Sequence, residues 1–341
     1  MRRNSSLGSV GFSARGGRSR RRHGGSSKLP YLILIGILIV LLGIAAFLWV
    51  RRSPAEHVSS VPAATETDSE NGVISLDNAS APADDSLEGV IAQAKLLADG
   101  YDYDGAINLL SSSTYASDES VTAAIDEYNA TKETLVRADP HKVTHVFFHT
   151  LIMDTSKAFD GDSREKGYNQ VMTTKDEFMK ILQSMYERGF VLVRLHDVAY
   201  EVTAEDGSRH FQEGDIMLPE GKKPFVMSQD DVCYYEYMDG DGFASRMIIG
   251  EDGKPTNEMK MDDGSVSVGS YDLVPLLDDF IKEHPDFSYR GAKACIAFTG
   301  YNGILGYRTQ TDQDVEWTAE REANRQKEIE AVKPIIAELK R

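Results

Sequence analysis

Hydrophobic positions fall into four regimes along this chain. Tyr31–Val50 (YLILIGILIVLLGIAAFLWV) is a run of 20 residues without a charge. A helix rising about 1.5 Å per residue would cover about 30 Å over that run, the thickness of a bilayer core. Residues 51–86 lose all periodicity and are rich in Ser, Ala, Pro and acids, which predicts a flexible linker. Over 87–140 apolar residues return at helical spacing. Ala94, Leu97, Tyr103, Ala106, Ile107 and Leu110 suggest a tetratricopeptide-like helical hairpin interrupted at Asp99-Gly100. One such unit cannot bury a core alone, so a helical spacer packed on the following domain is expected. From 141 to 341 the rhythm becomes α/β.

In that last regime THVFFHTLI (144–152) has the character of a strand, as do FVLVRLHDV (190–198, ending in a turn), KPFVMSQDD (223–231) and GAKACIAFTG (291–300). Between them lie amphipathic helical stretches. TTKDEFMKILQSMYERG (173–189) has Thr174 as N-cap with Glu177 three residues on, and Gly189 to stop it. SYDLVPLLDDFIKEHP (270–285) ends before Pro285, and 314–341 predicts a long charged helix. Strands alternating with helices argue for parallel β/α units.

Charge adds topology. Residues 1–52 hold ten of the 37 Lys and Arg and none of the 54 Asp and Glu, so the remainder carries 27 basic against 54 acidic residues. The basic tail, 1–30, precedes the apolar run, and Tyr31 and Trp49 sit near its two ends. The positive-inside rule then puts the N-terminus in the cytoplasm and the rest outside the cell, with the chain held in the membrane by 31–50. A cleaved signal peptide is the rival reading, but its apolar core is shorter and ends in small residues, whereas here RRSP follows. The acidity after residue 52 argues against nucleic acid as a partner. Cys233 and Cys295 are the only cysteines and have no zinc-type spacing; two free thiols are expected.

The candidate chemistry centres on Asp230 and Asp231, adjacent at the end of an apolar strand. Active sites of parallel α/β folds lie at the carboxyl ends of strands. Two neighbouring carboxylates repel, and the repulsion is relieved when one binds a metal and the other handles a proton. Side chains alternate along a strand, so both acids reach one site only if the strand breaks at Asp231. Acid pairs also simply end strands or cap helices, and Asp262-Asp263 and Asp278-Asp279 are two more. His141, His145 and His149 are spaced four apart. On a strand that spacing separates neighbours by about 13 Å, too far for one ion, which leaves His149 as a candidate at the mouth of a site. The segment around Gly300-Tyr301-Asn302-Gly303 and Gly306-Tyr307-Arg308 suggests a substrate-side loop, with Tyr301, Asn302 and Arg308 as binding residues.

An ordered series of motifs extends this reading. Phe148-His149 closes the first strand. Phe178, Leu182, Gly189 and Phe190 follow, then Leu195-His196-Asp197-Val198, Leu218-Pro219 with Lys222-Lys223, and Ser228-Gln229-Asp230-Asp231-Val232. In this order they resemble the polysaccharide deacetylase family, in its bacterial cell-envelope branch, over about residues 143–341. The family has Thr-Phe-Asp-Asp-Gly at the last motif, so the acids match while the Thr, Phe and Gly do not. The resemblance implies an α/β fold: a partial (β/α) barrel behind the helical hairpin and one transmembrane helix. It implies deacetylation of an N-acetylated envelope polysaccharide, with Asp230 as general base and Asp231 as ligand to a divalent metal, zinc in most members. Such a metal polarises the acetamide carbonyl and acidifies a bound water. The family's two histidine ligands come from a later H-[ST]-x-x-H motif. After Asp231 this sequence has only His284, so 141–341 is expected to be the N-terminal part of such a domain. The alternative is a non-catalytic, envelope-facing binding or scaffold protein. A glycosidase would place its acids on different strands.

Overall fold

The computed structural model of the chain describes residues 84–311 and 315–340. The basic tail, the apolar run at 31–50 and almost all of the linker lie outside the described residues. Within them, no helix is long and apolar enough to cross a membrane.

Three helices come first: α1 (Leu87–Asp99), α2 (Tyr103–Ser112) and α3 (Glu119–Glu133). Ser86, Asp102 and Asp118 cap them by accepting backbone N–H groups of their first turns. Small residues on the facing sides let them pack closely, around Ala94, Ala98, Ala106, Leu110 and Val121. The interruption at Asp99-Gly100 falls between α1 and α2, and α3 covers most of a further helical stretch that the sequence suggests over about 120–138. The hairpin also docks on the α/β part. Tyr101, at φ 68°, stacks on Tyr289 with 6.2 Å between ring centres, and its hydroxyl donates to the Asp286 carbonyl at 2.8 Å.

The α/β part is built on a small parallel sheet, and here the expected barrel is corrected: the fold is mixed α/β with no closed barrel. The sheet strands are β1 (Thr144–Phe148), β2 (Phe190–Leu192), β3 (Lys223–Gln229) and, later in the chain, a two-residue strand Cys295–Ile296. β3 is central. β1 runs along one of its sides over Phe225–Gln229. β2 pairs with the start of β3 and Cys295–Ile296 with its end. β1 thus neighbours β3 rather than β2, and four strands are too few to close a sheet on itself. The regular β/α alternation also breaks after β3. An antiparallel meander follows, β4 (Arg246–Ile249), β5 (Pro255–Lys260) and β6 (Val266–Gly269). Its turns carry Gly253 and Gly264, at φ 77° and 80°. Asp262-Asp263 lies in the second of these turns.

Two helices cover one face of the sheet. α4 (Lys175–Glu187) begins with the Thr174–Glu177 capping box, and α5 (Leu273–Glu283) buries Leu273, Leu276, Leu277 and Phe280, a spacing that lines one face of a helix. They meet Phe148, Phe225 and Met227 of the sheet in the main core, together with Phe178 and Leu182 of α4. The other face is covered along β3, where Val226 packs with Val191, Ile216, Leu218 and Tyr289, and is exposed toward the β1 edge. Along β1 it presents His145, Phe147 and His149, and Phe147 is 58% exposed. In register with Phe147 stand Ser228 and Cys295. Finally, α6 (Ala319–Leu339) packs Val332 and Ile335 against Val232, Tyr234, Met247 and Leu305.

Candidate active site

The acid pair stands where β3 stops. The Asp230 N–H still donates to the Phe148 carbonyl at 2.8 Å, which continues the pairing with β1 by one step. Asp231 then turns into the left-handed region at φ 56°, a conformation Asp tolerates better than most residues. This is the break the two acids need if they are to serve one site. The next residues are fixed from the Cys295–Ile296 side: the Val232 N–H donates to the Ala297 carbonyl at 3.3 Å, and the Leu305 N–H donates to the Val232 carbonyl at 2.9 Å. Asp231 itself thus supplies the turn.

Each acid has its own partner. Ser228, two residues back on the same face, donates its hydroxyl to Asp230 Oδ1 at 3.0 Å. His145 Nε2 lies 2.9 Å from that serine oxygen. Asp231 faces His149, with 3.9 Å between Oδ2 and Nε2. His141 is elsewhere: it sits in a turn of 3-10 helix and pairs with Glu213 at 3.0 Å. The three histidines therefore divide among three environments, and only His149 reaches the acid at the site's mouth.

Behind the acids lies a buried polar cluster that the sequence did not reveal. Asp272, fully buried ahead of α5, accepts three hydrogen bonds: from the Leu151 N–H (3.0 Å), from Gln229 Nε2 (2.8 Å) and from the Tyr234 hydroxyl (2.6 Å). Asn257 of β5 in turn donates to the Tyr234 hydroxyl at 2.9 Å. Burial pushes the Asp272 carboxyl above its ordinary range against the pull of those donors, and burial also drives the Tyr234 phenol well up. One carboxylate thus ties the turn after His149, the residue before Asp230 and the loop after Asp231 to the meander. The only sequence signal for it was an acid at the head of an amphipathic helix, which reads equally as an N-cap.

The remaining predicted residues hold the opposite wall. The Arg308 guanidinium donates to the carbonyls of Tyr234 (2.6 Å), Asn302 (2.8 Å) and Cys233 (3.3 Å). The Asn302 side-chain oxygen accepts the Glu236 N–H at 3.1 Å. Arg308 and Asn302 therefore join two loops to each other. A Cβ on Gly303 would stand 1.9 Å from the Tyr307 carbonyl oxygen, so only glycine fits that turn. Tyr301 is different: its side chain is 69% exposed and lies beside Tyr235. Cys233 and Cys295 are both free thiols.

A divalent ion held by this site needs at least three protein donors in the zinc pattern. Bonds of about 2.0–2.1 Å in tetrahedral array put two donor atoms about 3.3 Å apart, so Asp231 and His149 at 3.9 Å are close to that arrangement. No group of three or more His, Cys, Asp or Glu side chains suited to a metal occurs among the described residues. Those residues supply two donors and do not complete a centre. Compared with known proteins, the chain matches no family model, no curated protein and no solved structure.

Proposed function

We propose that this chain is directed at an N-acetylated cell-envelope polysaccharide and belongs to the deacetylase type of hydrolase, with Asp230 as the proton acceptor. The observation that carries this reading is the pairing at the end of β3: Asp230 held by the Ser228 hydroxyl, and Asp231 facing His149. The ordered motifs from Phe148-His149 to Asp230-Asp231 support it, and the charge-free run Tyr31–Val50 behind a basic tail supports an outward-facing, membrane-anchored location. In the reaction, water attacks the acetamide carbonyl carbon and gives a proton to Asp230. The C–N bond then breaks, the nitrogen takes up a proton, and acetate and a free amine result. Because the described residues offer two metal donors only, no step is derived through an ion.

That two-donor set favours a second reading, in which the same surface binds the glycan without hydrolysing it. Acetate release decides between them. The full chain, purified in mild detergent, is incubated with N-acetylglucosamine oligomers, with and without added zinc. Release by the wild type and its loss in Asp230→Asn would uphold hydrolysis. Binding of the oligomer with no acetate released, under either condition, would leave the binding reading in its place.

A further inference from the structure

Beside the acid pair, the loop after Asp231 carries three tyrosines close together in sequence, and one of them meets a fourth from the Gly300–Gly303 turn. Tyr234 points inward to Asp272, as described above. Tyr235 and Tyr237 point the other way and stack nearly parallel, with 5.3 Å between ring centres and 16° between planes. Tyr301 extends the row from Tyr235 at 5.9 Å. Tyr237 is 53% exposed, Tyr301 is more so, and Tyr235 is half-buried between them.

Resting on the glycan-directed reading above, we propose that Tyr235, Tyr237 and Tyr301 form a platform on which a pyranose ring of the polysaccharide stacks. An aromatic face is electron-rich, and the axial C–H groups of a pyranose are its electron-poor partners. A phenol adds a hydroxyl that can bond to the sugar's own hydroxyls at the rim. Contiguous exposed rings of this kind mark an interaction surface more than a folding element. The loop beneath is already held: Arg308 donates to two of its carbonyls, those of Cys233 and Tyr234, the Asn302 side-chain oxygen accepts the Glu236 N–H, and Arg164 donates to Tyr237's carbonyl and pairs with Asp241 at 2.6 Å. A ligand therefore meets a prearranged surface and does not have to order it. Tyr235 and Tyr237 of the platform are carried on the loop that begins at Asp231. Burial is the main cause that raises the phenols of Tyr235, to about 12, and of Tyr237, and the Asp231 charge adds a smaller push to each. Glu236, between the two tyrosines, and the acidic balance of the chain outside the first 52 residues turn away polyanions such as nucleic acids. A neutral sugar meets no such barrier.

The probe is the N-acetylglucosamine tetramer, titrated calorimetrically into the full chain in detergent. Binding should weaken about tenfold in Tyr301→Ala and in Tyr237→Ala, the loss of one stacked ring. Tyr301→Phe and Tyr237→Phe keep the ring face and should stay within about twofold of the wild type, which separates stacking from any general loss of fold; far-UV circular dichroism of the Ala variants provides the same control. No binding of the tetramer, or Ala variants that bind as tightly as the wild type, overturns the platform. The two proposals fail separately. Tyrosine-dependent binding without acetate release would sink hydrolysis and leave the platform standing. Acetate release with KM unchanged in the Ala variants would sink the platform and leave hydrolysis standing.

Discussion

Two groups of contacts at the end of β3 are held by opposite means. On one face of the sheet, α4 and α5 press Phe178, Leu182, Leu277 and Phe280 onto Phe148, Phe225 and Met227, a layer held by apolar burial. At the strand end, Asp272, Gln229, Tyr234 and Asn257 form a polar cluster in which geometry is everything. The apolar layer tolerates exchange of one hydrophobic residue for another of similar volume. The polar cluster does not, because each donor left without its acceptor keeps the full desolvation penalty. The site is thus placed by a forgiving layer and aligned by an unforgiving one.

The largest effect on this comparison should come from Phe178→Ala, which empties a fully buried ring from the apolar layer and should lower stability by about 3–5 kcal/mol in chemical denaturation. Next comes Asp272→Ala, on the order of 3 kcal/mol, since it strands the Tyr234 hydroxyl, the Gln229 amide and the Leu151 N–H at once. Asn257→Leu should cost clearly less, because its side-chain oxygen is already buried without a hydrogen bond. If Asn257→Leu proved as damaging as Asp272→Ala, the cluster would not be organised around the carboxylate. Smallest is Thr174→Ala, about 1 kcal/mol, the loss of the α4 capping box.

Titration sharpens the same contrast. Burial holds the folded-state value of Asp272 above its ordinary 3.8. The folded protein then binds this proton more tightly than the unfolded chain does. Stability from this group is greatest below 3.8 and declines as pH rises through the raised value. Asp272→Asn removes the decline, so the variant should gain on the wild type as pH is raised from about 4 to about 7. A difference that stays flat with pH would contradict the assignment. At the start of α6 the sign is reversed. Hydrogen bonds from Arg325, Gln326 and Trp317 hold the exposed Glu322 down at about 2, below its ordinary 4.5. Its contribution is present above 4.5, is lost as pH falls through about 2, and is weakened by salt.

Much of the local structure was legible in the chain. The Thr174–Glu177 spacing and Gly189 delimit α4, and the apolar spacing from Leu273 to Phe280 fixes the buried face of α5. The run PFVMSQ before the two acids marks β3. Each of these depends on residues within one or two turns of one another, where periodicity and capping act directly. The need for a break at Asp231 was also legible, from the alternation of side chains along a strand. The loop-joining bonds of Asn302 and Arg308 were not, because the carbonyls that Arg308 bonds come from two loops that only the fold brings together. The Tyr-Tyr-Glu-Tyr run is plain in the sequence, but nothing local says which ring turns inward.

By itself, then, the sequence determined the extents of α4, α5 and the central strand β3, which helix faces are apolar, and that two acids terminate a core strand. Only the tertiary structure decided that β1 lies beside β3 and not β2, that the sheet stays open with a meander where further β/α units were expected, and that Asp272 serves as the hub of the site. The physical reason is range. Hydrophobic periodicity specifies that a face must be buried but leaves the partner open, and strand order is chosen among long-range pairings of similar local appeal. A buried carboxylate is tolerated only where donors from several distant segments converge on it, and that convergence of Leu151, Gln229 and Tyr234 on Asp272 exists only in the folded chain.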